Sequence, residues 1–195
     1  MVSKIIFQEV FILTAQIPDE FILDGEKFSL VGLKGQGLTK TEDLGISPYF
    51  TCTACWRGYV MKYVFTNKCL IIDEMLVNVD DPPEINSIKP QQGNDLFKYH
   101  YKNLNLKTNF TGKILLAKDF IQSMYVHMGF QRPMAFKTVV EIELKHGEII
   151  NLKDLSKLME EQRKNDLYKG AQPETNSKKD IEKWVKQTFS LDYDL

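Results

Sequence analysis

Thr51-Cys52-Thr53-Ala54-Cys55-Trp56-Arg57-Gly58-Tyr59-Val60-Met61-Lys62-Tyr63-Val64-Phe65-Thr66-Asn67-Lys68-Cys69-Leu70-Ile71-Ile72-Asp73-Glu74-Met75-Leu76-Val77-Asn78-Val79 is the stretch on which the fold turns. From Cys55 to Phe65, and again from Cys69 to Val79, most residues favour a strand, and Asn67-Lys68 between them suits a tight turn. A two-residue loop there sets Thr66 opposite Cys69, Tyr63 opposite Ile72 and Cys55 opposite Asp80. Tyr59, Met61 and Tyr63 then face one way and Trp56, Val60 and Val64 the other. A hairpin apolar on both faces belongs in the middle of a sheet. Asp80-Asp81-Pro82-Pro83 ends it, because prolines cannot donate to a ladder.

Outward from this hairpin, further strands are expected. Residues 4–13 are β-branched and aromatic, and Phe21-Ile22-Leu23 and Phe28-Ser29-Leu30-Val31 flank the turn pair Asp24-Gly25. Gly32 to Pro48 reads as a loop, and residues 84–96 as a surface connection. Phe97 to Leu106 alternates as a half-exposed strand does, and Lys113 to Ala117 suits another. Asp119 is placed as the cap of a short helix carrying Phe120, Ile121, Met124, Tyr125 and Met128 on one face, with Gly129 as its stop; a strand fits residues 119–128 almost as well. Phe136 to Leu144 and Glu148 to Leu152 form a hairpin about His146-Gly147. Two helices close the chain, at Asp154 to Lys164 and after the cap Ser177, covering about residues 153–190 and packing on the sheet. Strands first and helices last predict an α+β fold: one domain over 1–195 with a mostly antiparallel sheet, a central long hairpin, one short middle helix and two C-terminal helices.

Composition bounds the function classes. A chain of 195 residues that is 43% hydrophobic buries about 70% of its unfolded surface, enough for a core without disulfides or metals. With 25 basic and 26 acidic residues, no global field favours nucleic acid or an anionic membrane. Three cysteines in a chain this long suit a reducing compartment, and no apolar run approaches a membrane span, so a cytoplasmic protein is expected.

Few constellations could carry chemistry. Gly32 and Gly37 have the spacing of a phosphate-binding loop, but Leu38-Thr39 stand where Lys and Ser/Thr are required. Cys52-Thr53-Ala54-Cys55 could begin a zinc site with Cys69 and one of His100, His127 or His146. The hairpin register puts Cys69 about 35 Å along the strand from Cys55, far outside one coordination sphere. No metal site and no cofactor are therefore expected. Cys55 as nucleophile with His127 as base is a further candidate, with no local signature joining the two. Arg57, between Trp56 and Tyr59 on a largely apolar hairpin, must find a carboxylate or an anionic ligand; Asp80 and Asp81 are the nearest internal choices.

Thr53-Ala54-Cys55-Trp56-Arg57-Gly58-Tyr59, with Phe110-Thr111-Gly112-Lys113 and Tyr125-Val126-His127-Met128-Gly129-Phe130-Gln131, resembles a set of uncharacterised bacterial proteins of similar length. The likeness spans roughly residues 21–150; it implies a shared domain and carries no activity with it.

The sequence thus leads to a binding protein that catalyses nothing and recognises a protein partner or a small ligand, as an immunity or regulatory protein would. Its surface would use Trp56, Arg57 and Tyr59 with Tyr125 and His127, since aromatics and arginine dominate binding hot spots. The alternative is a hydrolase or transferase with Cys55 as nucleophile, His127 as base and Arg57 as anion clamp. Neither nucleic acid nor a membrane is an expected partner, and oligomeric state cannot be read from these residues.

Overall fold

The computed structural model describes residues 15–36, 38–165 and 172–193. The strand expected at residues 4–13 lies outside them. Ten strands are present among the described residues: β1 (Glu20–Leu23), β2 (Glu26–Gln36), β3 (Tyr59–Thr66), β4 (Cys69–Val77), β5 (Gln91–Gln92), β6 (Tyr99–Tyr101), β7 (Leu106–Lys107), β8 (Thr111–Phe120), β9 (Phe136–Lys145) and β10 (Glu148–Asp154). Two α-helices follow, α1 (Ser156–Asn165) and α2 (Lys178–Thr188).

Three hairpins form where two-residue turns were expected. Asp24-Gly25, Asn67-Lys68 and His146-Gly147 all hold both residues at positive φ, the conformation whose twist matches that of the flanking strands. At the central hairpin Thr66 pairs with Cys69 and Tyr63 with Ile72. Beyond that point a bulge at Lys62/Tyr63 leaves Asp73 as the extra residue, and the ladder ends at Tyr59–Val77. Cys55 therefore does not reach Asp80. The bulge also keeps the apolar side chains inward: Leu70 and Ile72 are buried on one side of Asp73, Met75 and Val77 on the other, a spacing that strict alternation would not allow.

The expected α+β fold, a mostly antiparallel sheet about a central hairpin, is overturned by a closed barrel. The strands run in the order β10-β9-β8-β2-β1-β3-β4, and β10 returns to β4, closing a seven-stranded barrel. Glu148 pairs with Cys69, Leu70 N–H donates to the Gly147 carbonyl at 2.8 Å, and Ile149 N–H donates to the Lys68 carbonyl at 2.9 Å. Bulges in β2, β4 and β10 add the local twist that lets so few strands curl shut. The sheet is also mixed, because β1 runs parallel to β3. Of the remaining strands, β7 and β6 pair farther along the edge of β4 that β10 meets, and β5 pairs with β6.

Closure explains β8, where Ile114, Leu115, Leu116 and Ala117 are all buried. Ile114 and Leu116 fill the barrel with Phe21, Met61, Tyr63 and Tyr101. Leu115 and Ala117 face outward into a second core with Met124, Met134 and Met159. Arg163 pins α1 over that outer core, Nη1 donating to the Met134 and Phe136 carbonyls at 2.8 and 2.7 Å. Leu155 and Met159 of the expected apolar face are buried, while Leu158 is exposed.

Other expectations are corrected locally. Gly32 to Gln36 continue β2 instead of opening a loop, because Gly32 to Gln36 pair with Leu115 to Thr111 of β8. The helix expected from Asp119 is absent. Asp119 sits at φ 61° inside β8, and only the single 3₁₀ turn Gln122–Met124 follows. Gly129 ends no helix but lies at φ 71° against the Thr188 carbonyl. The expected strand over residues 97–106 breaks into β6 and β7, with Asn103 and Asn105 at positive φ between them. Ser177 caps α2 as expected, its Oγ accepting from Asp180 N–H at 3.2 Å.

Candidate functional site

Residues 51–58 are not strand but a run of turns at the mouth of the barrel. Cys55 N–H donates to the Cys52 carbonyl at 3.1 Å, and Gly58 N–H to the Cys55 carbonyl at 3.2 Å. Gly58 closes the run at φ 73°, where a Cβ would strike the Tyr49 carbonyl, so a side chain is excluded both by conformation and by space. The turns lift Trp56 and Arg57 off the ladder and over the barrel's open end.

Arg57 does not meet Asp80 or Asp81. Its Nη1 donates to Asp19 Oδ2 at 2.8 Å and its Nη2 to Asp19 Oδ1 at 2.7 Å, a bidentate pair. Asp19 Oδ1 also accepts from Met61 N–H at 2.7 Å. The parallel pairing of Glu20 with Lys62 brings Asp19 level with Met61, which is why the partner comes from 38 residues upstream. The Asp19 side chain is 5% exposed and that of Arg57 24%. Burial opposes the guanidinium charge, but Asp19 outweighs it through its charge and hydrogen bonds and holds the arginine pKa above its ordinary value. The guanidinium also lies 4.8 Å from the centre of the Tyr59 ring. Burial raises the Tyr59 pKa, and the nearby Arg57 charge only partly offsets it, so the phenol stays protonated at neutral pH.

Gln16 ties this run to the rest of the mouth. Its Nε2 donates to the Thr53 carbonyl at 2.7 Å, and its Oε1 accepts from Trp56 N–H at 3.0 Å. Its backbone N–H donates to the Gly129 carbonyl at 2.8 Å. The two strings that looked distinctive in the sequence, 53–59 and 125–131, are thus held by one glutamine. The second string is a loop closed by Gln131, whose side-chain amide exchanges hydrogen bonds with the backbone N–H and carbonyl of Val126 at 3.0 and 2.8 Å.

A cup of about 470 Å³ opens beside the Arg57–Asp19 pair. Leu30, Leu33, Leu38, Phe130 and Phe189 supply apolar walls, with Tyr63 among the lining residues. The Trp56 and Phe189 rings stack at 4.4 Å and 11°, forming one side of the rim. Trp56 itself is 45% exposed. Of the five residues expected on one surface, Trp56, Arg57 and Tyr59 line this cavity. Tyr125 belongs to a neighbouring groove of about 360 Å³ with Phe120 and Phe136. His127 is exposed and meets Tyr125 edge-on at 4.8 Å.

Cys55 and His127 are not joined. Cys55 is buried, and its thiol donates to the Tyr59 carbonyl at 3.2 Å. Burial raises its pKa, outweighing the charge of Arg57, which leaves the thiol protonated at neutral pH. No group of three or more His, Cys, Asp or Glu placed to hold a metal occurs among the described residues. No helix among them is long and apolar enough to cross a membrane.

Sequence reasoning missed Gln16, Asp19, Phe130 and Phe189. Asp19 had one usable signal, an acid directly before a strand beside an arginine in need of a partner. The other three are ordinary residue types whose roles arise only from contacts across the barrel's mouth. The comparisons with known proteins add nothing to this geometry: no family model, curated protein or solved structure matches the chain.

Proposed function

We propose that this protein is a non-catalytic binding protein whose ligand site is the cup at the barrel mouth. The observation that carries this is a cavity of about 470 Å³ with apolar walls around a largely buried, bidentate ion pair. Small-molecule sites are commonly cavities of some hundreds of Å³ with few polar groups, and barrel mouths are among their usual places. The chemistry of the lining agrees. Both terminal nitrogens of Arg57 are engaged by Asp19, and the Cys55 thiol donates to a backbone carbonyl, which speaks against clamp and nucleophile roles.

Titration with Nile red, an uncharged dye that brightens in apolar surroundings, tests the assignment. A saturable rise is expected for the native chain. Leu38→Trp, which fills the cup from its partly exposed rim, should weaken binding at least about ten-fold. Absence of a saturable rise, or equal binding by the variant, would overturn the cup as a ligand site.

A further inference from the structure

Building on the cup as a ligand site, we infer that its ligand is an uncharged, largely apolar small molecule carrying one hydrogen-bond acceptor, taken by the Tyr59 hydroxyl. Charge comes first. The cup's lining holds two acidic residues, Asp19 and Asp192, and two basic ones, Lys40 and Arg57. In the inner pair both Asp19 oxygens receive guanidinium N–H groups, and Met61 N–H adds a third bond to the carboxylate, while Arg57 Nε is buried without a partner. An anion drawn to Arg57 would compete with a buried carboxylate that has no other cation to turn to, and would meet that carboxylate's repulsion at close range. A cation would face the guanidinium in the same way. At the rim, exposed Lys40 and Asp192 carry opposite charges and select for neither sign.

Polarity comes second. Gln16 is held by Thr53 and Trp56, one N–H donating to the first and its oxygen accepting from the second. Tyr59 lines the same cup, and its hydroxyl makes no hydrogen bond to another described residue. A protonated phenol can donate to a carbonyl, ether or hydroxyl oxygen of a ligand. Leu30, Leu33, Leu38, Phe130 and Phe189 contact whatever else the molecule carries, and they offer it only apolar surface. Specificity in such a pocket comes from a few placed polar groups, and the Tyr59 hydroxyl is a donor there that the described residues leave unbonded; Arg57 Nε, also without a partner, is itself buried.

Four eight-carbon probes separate the possibilities: 2-octanone, octane, octanoate and octylammonium. Binding is followed by displacement of Nile red and by the fluorescence of Trp56 in a Trp184→Phe background. The ketone should displace the dye, and the two ions should bind at least about ten-fold more weakly than the ketone. Tyr59→Phe keeps the ring under Arg57 but removes the donor. It should weaken 2-octanone about five-fold while leaving octane unchanged. Octanoate or octylammonium binding as tightly as the ketone overturns the uncharged class. An equal effect of Tyr59→Phe on ketone and alkane, or none on either, overturns the role of the hydroxyl. In all of these cases Nile red still binds and the cup survives; failure of Nile red itself strikes the underlying assignment instead.

Discussion

Asp19→Asn isolates the interaction on which the barrel mouth depends. The substitution keeps the side chain's shape and one acceptor oxygen but removes the charge. It leaves a guanidinium three-quarters buried, facing an amide that can accept one of its two bonds and offers an N–H group where the other was accepted. Breaking one side of a buried ion pair costs about 3–5 kcal/mol. Because Arg57 retains some contact with water and one acceptor survives, the lower end applies, about 3 kcal/mol. The loss falls on the β1–β3 seam, since the same carboxylate anchors Met61 N–H at 2.7 Å. With a urea slope of about 3 kcal/mol/M, the midpoint of unfolding should fall by about 1 M at unchanged slope. Arg57→Met in the Asp19→Asn background should recover most of this, because the penalty lies in the charge left behind. A fall below about 0.3 M for the single variant would refute the account and make the pair a solvent-screened surface contact.

Two further outcomes follow from the titrating groups. Cys55, held above the ordinary thiol pKa by burial, should react with Ellman's reagent far more slowly than Cys52 or Cys69 between pH 6 and 8, as Cys52→Ser and Cys69→Ser variants would show; rapid labelling at pH 6 would restore the nucleophile. Burial raises the Glu141 pKa, but hydrogen bonds from the Tyr193 hydroxyl at 2.8 Å and from Lys113 at 3.2 Å outweigh it and hold the carboxyl below its ordinary value. A depressed carboxyl stabilises the fold above the unfolded glutamate pKa of about 4.3 and loses that contribution as pH falls through the folded value. Unfolding free energies of the native chain from urea titration should therefore exceed those of Glu141→Gln by about 1 kcal/mol at pH 7 and converge with them below pH 4; a constant gap would refute the linkage.

The parts of the fold legible in the sequence were those written within a few residues. Asn67-Lys68, Asp24-Gly25 and His146-Gly147 declare their turns locally, so three hairpins and their inner registers follow. Closure was not legible, because it depends on β10 meeting β4 across nearly 80 residues, through contacts at Glu148 and Cys69 that no local pattern announces. The strand propensity of Cys55 to Gly58 was real but overridden: Gly58 at φ 73° and the Cys52–Cys55 turn take the chain off the ladder. Asp119 misled for a related reason. A residue tolerant of positive φ can cap a helix, and here it bends the end of a strand instead. At the site, grouping Trp56, Arg57 and Tyr59 needed only their nearness in sequence. Asp19 and Phe189 came from opposite ends of the chain and needed the parallel β1–β3 pairing and the C-terminal segment to arrive.

Barrel size then decides where a ligand can go. Seven strands enclose a lumen that side chains can fill, and here Phe21, Tyr63, Tyr101 and Phe110 do so, each no more than 1% exposed. At the mouth room remains, and there Tyr63 belongs both to the core and to the cup's lining. Walls above Tyr63 come from Leu38 before the 3₁₀ turn Thr41–Leu44, from the turns at 51–58, and from Phe130 and Phe189. Phe130 is fixed through its backbone N–H, which donates to the Thr188 carbonyl at 2.9 Å. Phe189 comes off α2, a helix with no buried residue, and is held by its stack on Trp56 and by the Leu33 N–H bond to the Leu191 carbonyl at 2.8 Å. The rigid pair Arg57–Asp19 and the packed lumen thus form the floor, while the wall most easily displaced is the one contributed by the C-terminal segment. On the proposed reading, ligand selectivity is shared between strand residues that face the cup, Leu30 and Leu33 of β2 and Tyr59 at the start of β3, and the loop residues around the mouth.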